Sequence, residues 1–108
     1  MTAYSAVINT ACSSSLAALH LACSAIRNRD CEAALVGGSN LILTIDQHIN
    51  TAKLGILSPT SRCHTFDESA DGYARAEGLG VLYIKSLATA VRDGDPVRAI
   101  IRSTAINS

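Results

Sequence analysis

Nine lysines and arginines cancel nine aspartates and glutamates in this 108-residue chain, and no block of like charge offers a grip to a phosphate backbone or an anionic membrane, which excludes nucleic acid and membrane surfaces as partners. A hydrophobic content of 48% excludes a disordered polar chain and could fill one small core, while no apolar run approaches the roughly 20 residues that span a bilayer. Four cysteines, Cys12, Cys23, Cys31 and Cys63, are too few and too unevenly spaced for a disulfide scaffold, and Met1 leads into no basic-then-apolar segment, so the expected setting is the cytoplasm with the thiols reduced.

The first element in chain order is a short strand over 4–9, YSAVIN, where β-branched and small residues mix. The period then changes. Over 13–30, Leu16, Leu19, His20, Cys23 and Ile26 recur at helical spacing with alanines on the opposite side, which predicts a helix apolar on nearly every face and therefore buried. Its end is set at Arg27, Asn28, Arg29 and Asp30, whose cations suit a helix C-terminus. Residues 32–43 read as a buried strand, with a bulge or close backbone approach at Gly37-Gly38. A short helix follows over 46–55, with Asp46 as N-cap and Gly55 as stop.

From 58 to 78 the chain turns polar and glycine-containing, which predicts a long irregular segment. Residues 79–87 return to a strand, 86–95 read as a helix ended by Gly94 and Pro96, and 97–107 read as a last strand. Strands alternating with helices argue for an α/β fold.

The junction between the first strand and the first helix carries Cys12. A helix that starts there aims unpaired N–H groups and the positive end of its dipole at the thiol. Such a setting favours thiolate, the nucleophilic form, and the same N–H groups suit the oxyanion of a thioester under attack. Ala11 and Ser13 are small enough to let a carbonyl reach the sulfur, as at the nucleophile elbow of serine hydrolases. A free cysteine is otherwise most often a small buried hydrophobe, and spacing alone does not decide between the two.

The stretch NTACSSSLAALHLAC resembles the active-site segment of β-ketoacyl synthase domains, the ketosynthases of polyketide and fatty-acid synthases. The likeness continues in one register through CEAALVGGSNLIL, GILSPTSRCHTFDESADGYARAEGLGVLYIK and RDGDPVRAIIRSTAIN, and HTFDESADGYARAEG is similar to the multidomain fungal polyketide synthases. The resemblance implies a layered α/β fold of the thiolase-like kind, of which residues 1–108 are a partial domain. It implies that Cys12 takes an acyl group from the phosphopantetheine thiol of an acyl carrier protein, with the backbone N–H of Cys12 as one oxyanion donor. Condensation with the carbanion left by decarboxylation of a malonyl-carrier protein then gives a β-ketoacyl product. It further implies a homodimer, with the strand around Val7 and Ile8 near the two-fold axis, and no bound cofactor or metal.

Asn9 stands where the family usually has aspartate. The family's two catalytic histidines lie in later motifs of the HGTGT and GH types, together with a lysine, and none of His20, His48 or His64 sits in such a motif. The expectation is therefore a fragment that carries the nucleophile without the rest of the machinery, marginally stable or aggregation-prone alone. Two other readings stay open: a thiolase-like acyltransferase that does not condense, and a non-catalytic remnant.

Other constellations read as structural. Asp67, Ser69, Asp71 and Gly72 match a calcium loop only loosely, with Gly78 where the bidentate glutamate belongs. Asp67, Arg75 and Glu77 are instead expected to hold the loop by ion pairs or hydrogen bonds. Cys63-His64 with Cys23 and Cys31 lack zinc-site spacing. His20 lies two turns beyond Cys12, on the order of 12 Å away, and reads as a buried, hydrogen-bonded packing residue. Lys53 and Lys85 read as surface charges, and Asp93-Gly94-Asp95-Pro96 as a turn.

Overall fold

The computed structural model describes residues 5–107. Its elements are α1 (Ser14–Arg27), β1 (Ala33–Asn40), α2 (Ile45–Lys53), β2 (Gly78–Lys85) and α3 (Leu87–Asp93). They form two compact units, one of Met1–Gly38 with Gly80–Ser108 and one of Ser39–Leu79. The mixture of helices with a two-stranded β1-β2 sheet is the α/β class that the alternating pattern predicts.

In the first unit, α1 stops at Arg27, the first residue of the polar cluster expected to end it. The amides of Arg29 and Asp30 fold back onto the carbonyls of Ile26 (3.1 Å) and Ala25 (2.9 Å), with Arg29 in the left-handed region at φ 65°. This pair of bonds satisfies the last carbonyls of a helix and ends it, and here it operates without a glycine. At α3 the same closure uses Gly94, at φ 71°, with the Asp95 amide on the Ala90 carbonyl. The start of α3 is capped by Ser86, whose Oγ accepts the Thr89 amide at 3.2 Å.

β1 runs unbroken through Gly37-Gly38, so the glycines serve close approach and not a bulge. A Cβ added to Gly38 would stand 3.1 Å from Ser15 Cβ, on the first turn of α1, and one on Gly37 would meet Val81 and the Gly80 carbonyl. Since Gly37 meets residues 80–81 while the Asn40 side chain donates to the Ala76 carbonyl, numbers fall along β2 as they rise along β1. The two strands are therefore antiparallel.

The buried apolar residues of this unit are few and mostly small: Ala17, Cys23, Ala25, Val36 and Ala90. Contrary to the expectation of a fully buried helix and strand, Leu16 on α1 is 71% exposed and Leu35 on β1 is 75% exposed. The reason is a shortage of cover. Two strands and one short helix cannot blanket a 14-residue helix that is apolar on nearly every side.

Two expected strands do not form. Residues 5–9 and 97–107 carry no regular structure, and Tyr4 of the first lies outside the described residues. Their β-branched composition suits a pleated surface, but a strand exists only with a partner to take its amides and carbonyls, and among the described residues none pairs with them.

In the second unit, α2 begins at Ile45 with Thr44 as N-cap, so Asp46 stands inside the first turn and is not the cap. Its carboxylate still lies at the positive end of the helix. Gly55 does end the helix, at φ 68°. The irregular segment beyond it is closed by a short bridge: the Ser58 amide donates to the Tyr73 carbonyl (3.0 Å) and the Tyr73 amide to the Ile56 carbonyl (3.1 Å). Gly72, at φ 137°, lies so close to this crossing that a Cβ would stand 2.5 Å from Leu57 C and Ser58 N. No helix among the described residues is long and apolar enough to cross a membrane.

Candidate active site

Cys12 is a free, exposed thiol on a tight turn that leads into α1. The turn is built by side chains bonding to backbone. Ser13 Oγ donates to the Thr10 carbonyl (2.8 Å) and Ser14 Oγ to the Ala11 carbonyl (2.6 Å), while the Thr10 amide donates to Ser14 Oγ (2.9 Å). The Ala11 amide donates to Asn9 Oδ1 at 3.1 Å. Between these bonds Ala11 is held at φ 56°, a region that residues with a Cβ seldom enter. The strained backbone is thus at the residue before the thiol and not at Cys12 itself, and residues 5–9 ahead of it form no strand, so the turn only partly resembles a nucleophile elbow.

The helix-start amides are not all free. Those of Ser13 and Ser14 already donate to the carbonyls of Thr10 (3.4 Å) and Ala11 (3.2 Å). None of these bonds uses the amide of Cys12. Ser13, the N-cap, makes no side-chain bond into the helix, because its hydroxyl is turned back to Thr10.

None of the three histidines is committed to Cys12. His20 is half-buried, and its Nδ1 lies 2.9 Å from Thr104 Oγ1. The expected hydrogen-bonded packing role therefore stands, with less burial than the spacing predicts. His64 Nδ1 lies 3.5 Å from Ser69 Oγ. His48 lines a cavity of about 280 Å³ in the second unit, beside Leu57, Ser58, Tyr73 and Arg75.

Among the described residues, the polar side chains of the 58–78 segment hold it by hydrogen bonds and not by ion pairs. Ser69 donates to Asp67 Oδ1 from both its hydroxyl (2.7 Å) and its amide (2.8 Å), and these two bonds keep the Asp67 carboxyl below its ordinary pKa. Glu77 Oε1 accepts the Ile42 amide (2.7 Å), and Arg75 Nη1 donates to Thr51 Oγ1 (3.0 Å). Cys63 Sγ accepts the Ala74 amide at 3.2 Å.

Lys85 departs from the surface charge expected of it. Its side chain is only 11% exposed and pairs with both Asp95 and Asp93. Those two carboxylates, Asp95 foremost, raise its pKa to about 12. Sequence spacing hides this, because Asp93 reaches Lys85 from the end of α3 and Asp95 from just beyond the left-handed turn at Gly94.

Residues 1–90 match the family described as beta-ketoacyl synthase, N-terminal domain. The chain belongs to the β-ketoacyl synthase family. Over 104 residues, 96% of the chain, it is 67% identical to a reducing polyketide synthase (DEP5) of Alternaria brassicicola, and 62% identical to a highly reducing polyketide synthase (rstn3) of Aspergillus nomiae. It spans 4% of the length of either. Among solved structures, a ketosynthase domain (OzmH KS7) for oxazolomycin of Streptomyces albus JA3453 superposes with a TM-score of 0.84 at 50% identity, covering 93% of this chain and 18% of that one. The ketosynthase of module 6 of the bacillaene synthase of Bacillus subtilis 168 gives 0.77 at 43% identity, over 83% of this chain and 16% of its own. The fold is accordingly part of a thiolase-like ketosynthase domain, as the sequence resemblance implies.

Proposed function

We propose that this chain is the nucleophile-bearing segment of a polyketide β-ketoacyl synthase, and that Cys12 is its acyl acceptor. The supporting observation is the exposed thiol on a kinked turn at the head of α1, in a member of this family. Cys12 thiolate attacks the carbonyl carbon of an acyl thioester carried on the phosphopantetheine of an acyl carrier protein. The oxyanion lies against the Cys12 amide, and collapse expels the phosphopantetheine thiolate, which takes up a proton. In the second half, a malonyl thioester loses CO2, its enolate carbon attacks the Cys12 thioester, and the Cys12 thiolate leaves as the β-ketoacyl product forms.

The second half needs donors for the enolate oxygen, and His20 and His64 are engaged with Thr104 and Ser69. Neither of these two histidines is therefore placed to supply them. Homodimer formation along the segment around Val7, which is 98% exposed, and a cytoplasmic setting complete the reading.

The test is mass spectrometry after incubation with a short acyl-phosphopantetheine thioester, beside a Cys12→Ala control. One acyl adduct, confined to the peptide holding Cys12 and lost in the control, is expected. A folded sample with no adduct, or with one on Cys23, Cys31 or Cys63, overturns the assignment.

A further inference from the structure

We propose that Asn9 and Ser14 are positioning residues, which act on Cys12 by pinning Ala11 in its left-handed conformation. The inference rests on the reading of Cys12 as the acyl acceptor and adds what holds it in place. Alanine in this region is disfavoured by its Cβ, and it has no polar side chain to offset the cost, as asparagine or aspartate would. Support must come from neighbours, and both flanking peptide groups receive it. The Ala11 N–H donates to Asn9 Oδ1 at 3.1 Å, and the Ala11 carbonyl accepts from Ser14 Oγ at 2.6 Å.

Ser14 Oγ also accepts the Thr10 amide at 2.9 Å, so one hydroxyl ties the amide of the residue before Ala11 to the carbonyl of Ala11 itself. With either bond lost, Ala11 is held less firmly against a return to negative φ, since only the Ser14 amide (3.2 Å) and the other side-chain bond still restrain it. Such a return rotates the Ala11–Cys12 peptide, and with it the Cys12 amide and Sγ. The same geometry explains why asparagine serves at position 9. The atom used is an acceptor oxygen, which aspartate supplies equally well.

The experiment follows Cys12 in the full-length protein, by alkylation with iodoacetamide and by acylation with an acyl-phosphopantetheine thioester, both read on the Cys12 peptide and across pH. Ser14→Ala and Asn9→Leu are expected to slow both reactions about tenfold, the order of one lost hydrogen bond, and to displace the pH profile of alkylation. Asn9→Asp is expected to stay within about twofold, since its acceptor is kept. In an Ala11→Gly background, Ser14→Ala should cost less than about threefold, because glycine takes a left-handed φ unaided.

Parental rates in Ser14→Ala, or an equal loss with and without Ala11→Gly, would overturn the proposal. Should Ser14→Ala not fold, the contrast of Asn9→Leu with Asn9→Asp decides alone. Acylation of the parent at another residue refutes the reading of Cys12. Acylation at Cys12 with equal rates in every variant refutes only the positioning.

Discussion

Gly72 is the position where one added methyl group should do the most damage. Its Cβ would stand 2.5 Å from Leu57 C and Ser58 N and 2.9 Å from the Ile56 carbonyl oxygen. Ordinary contact begins at 3.4 Å, so the two backbone segments must part by about 0.9 Å. All three neighbours are backbone atoms, and no side chain can rotate away to make room.

Parting them breaks the bonds from Ser58 N to the Tyr73 carbonyl and from Tyr73 N to the Ile56 carbonyl, at about 1 kcal/mol each. Strain at φ 137° adds about 1–3 kcal/mol, for a total of about 3–5 kcal/mol. Two other glycines separate the causes. Gly55 has a left-handed φ but nothing within 4 Å of its Cβ, and Gly80 has open space with no φ constraint. Gly55→Ala should cost about 1 kcal/mol, and Gly80→Ala should be neutral or slightly stabilising. Thermal melting of the full-length protein ranks the three, and amide exchange at Ser58 and Tyr73 reports the bridge itself. If Gly72→Ala melts with Gly80→Ala, or those two amides keep their protection, the steric reasoning is wrong.

The remaining predictions concern charge and exposed apolar surface. Lys85, raised from 10.5 to about 12, contributes fully below pH 10.5 and loses its contribution as the pH rises through about 12. Asp93, lowered from 3.8 by Lys85 and then Arg92, contributes above pH 3.8 and loses it as the pH falls through its lowered value. Exchange protection of the Gly94 and Asp95 amides should therefore hold between those limits and fall on both sides, and Lys85→Met should flatten the profile; an unchanged profile in the variant refutes the clamp. The 108 residues alone, with Leu16, Leu35 and Leu79 exposed by 71%, 75% and 81%, should bind a hydrophobic dye and associate with rising concentration. A monomer that unfolds cooperatively at every concentration would contradict this.

The sequence made α1 legible because Leu16, Leu19, Cys23 and Ile26 repeat at helical period, and α3 because Gly94 and Pro96 mark its end. It left the fate of 4–9 and 97–107 open, since β-branched composition describes a surface and says nothing about a partner. Asp46 and Thr44 are both good caps, and only the backbone reveals which of them the first turn follows. Cys12 could be singled out from its junction between small residues and from family resemblance. The hold on Ala11 could not, because Ser13, Ser14 and Asn9 read as small or variant residues until their oxygens are placed against specific amides and carbonyls. Lys85 likewise sits eight and ten positions from its partners, a separation that carries no helical or strand signal.

The turn around Cys12 has a consequence for the order of folding. Its bonds join residues two to four apart, from Asn9 to Ala11 and from Thr10 to Ser14, whereas the bond between His20 and Thr104 closes a loop of 84 residues. On loop-closure entropy the long contact costs about 2.7 kcal/mol more to form than a four-residue one, and contacts of such separation are the slow ones. The elbow can thus take shape while most of the chain is still unfolded. The thiol's local geometry is held by bonds within six residues, which need no long-range closure to form.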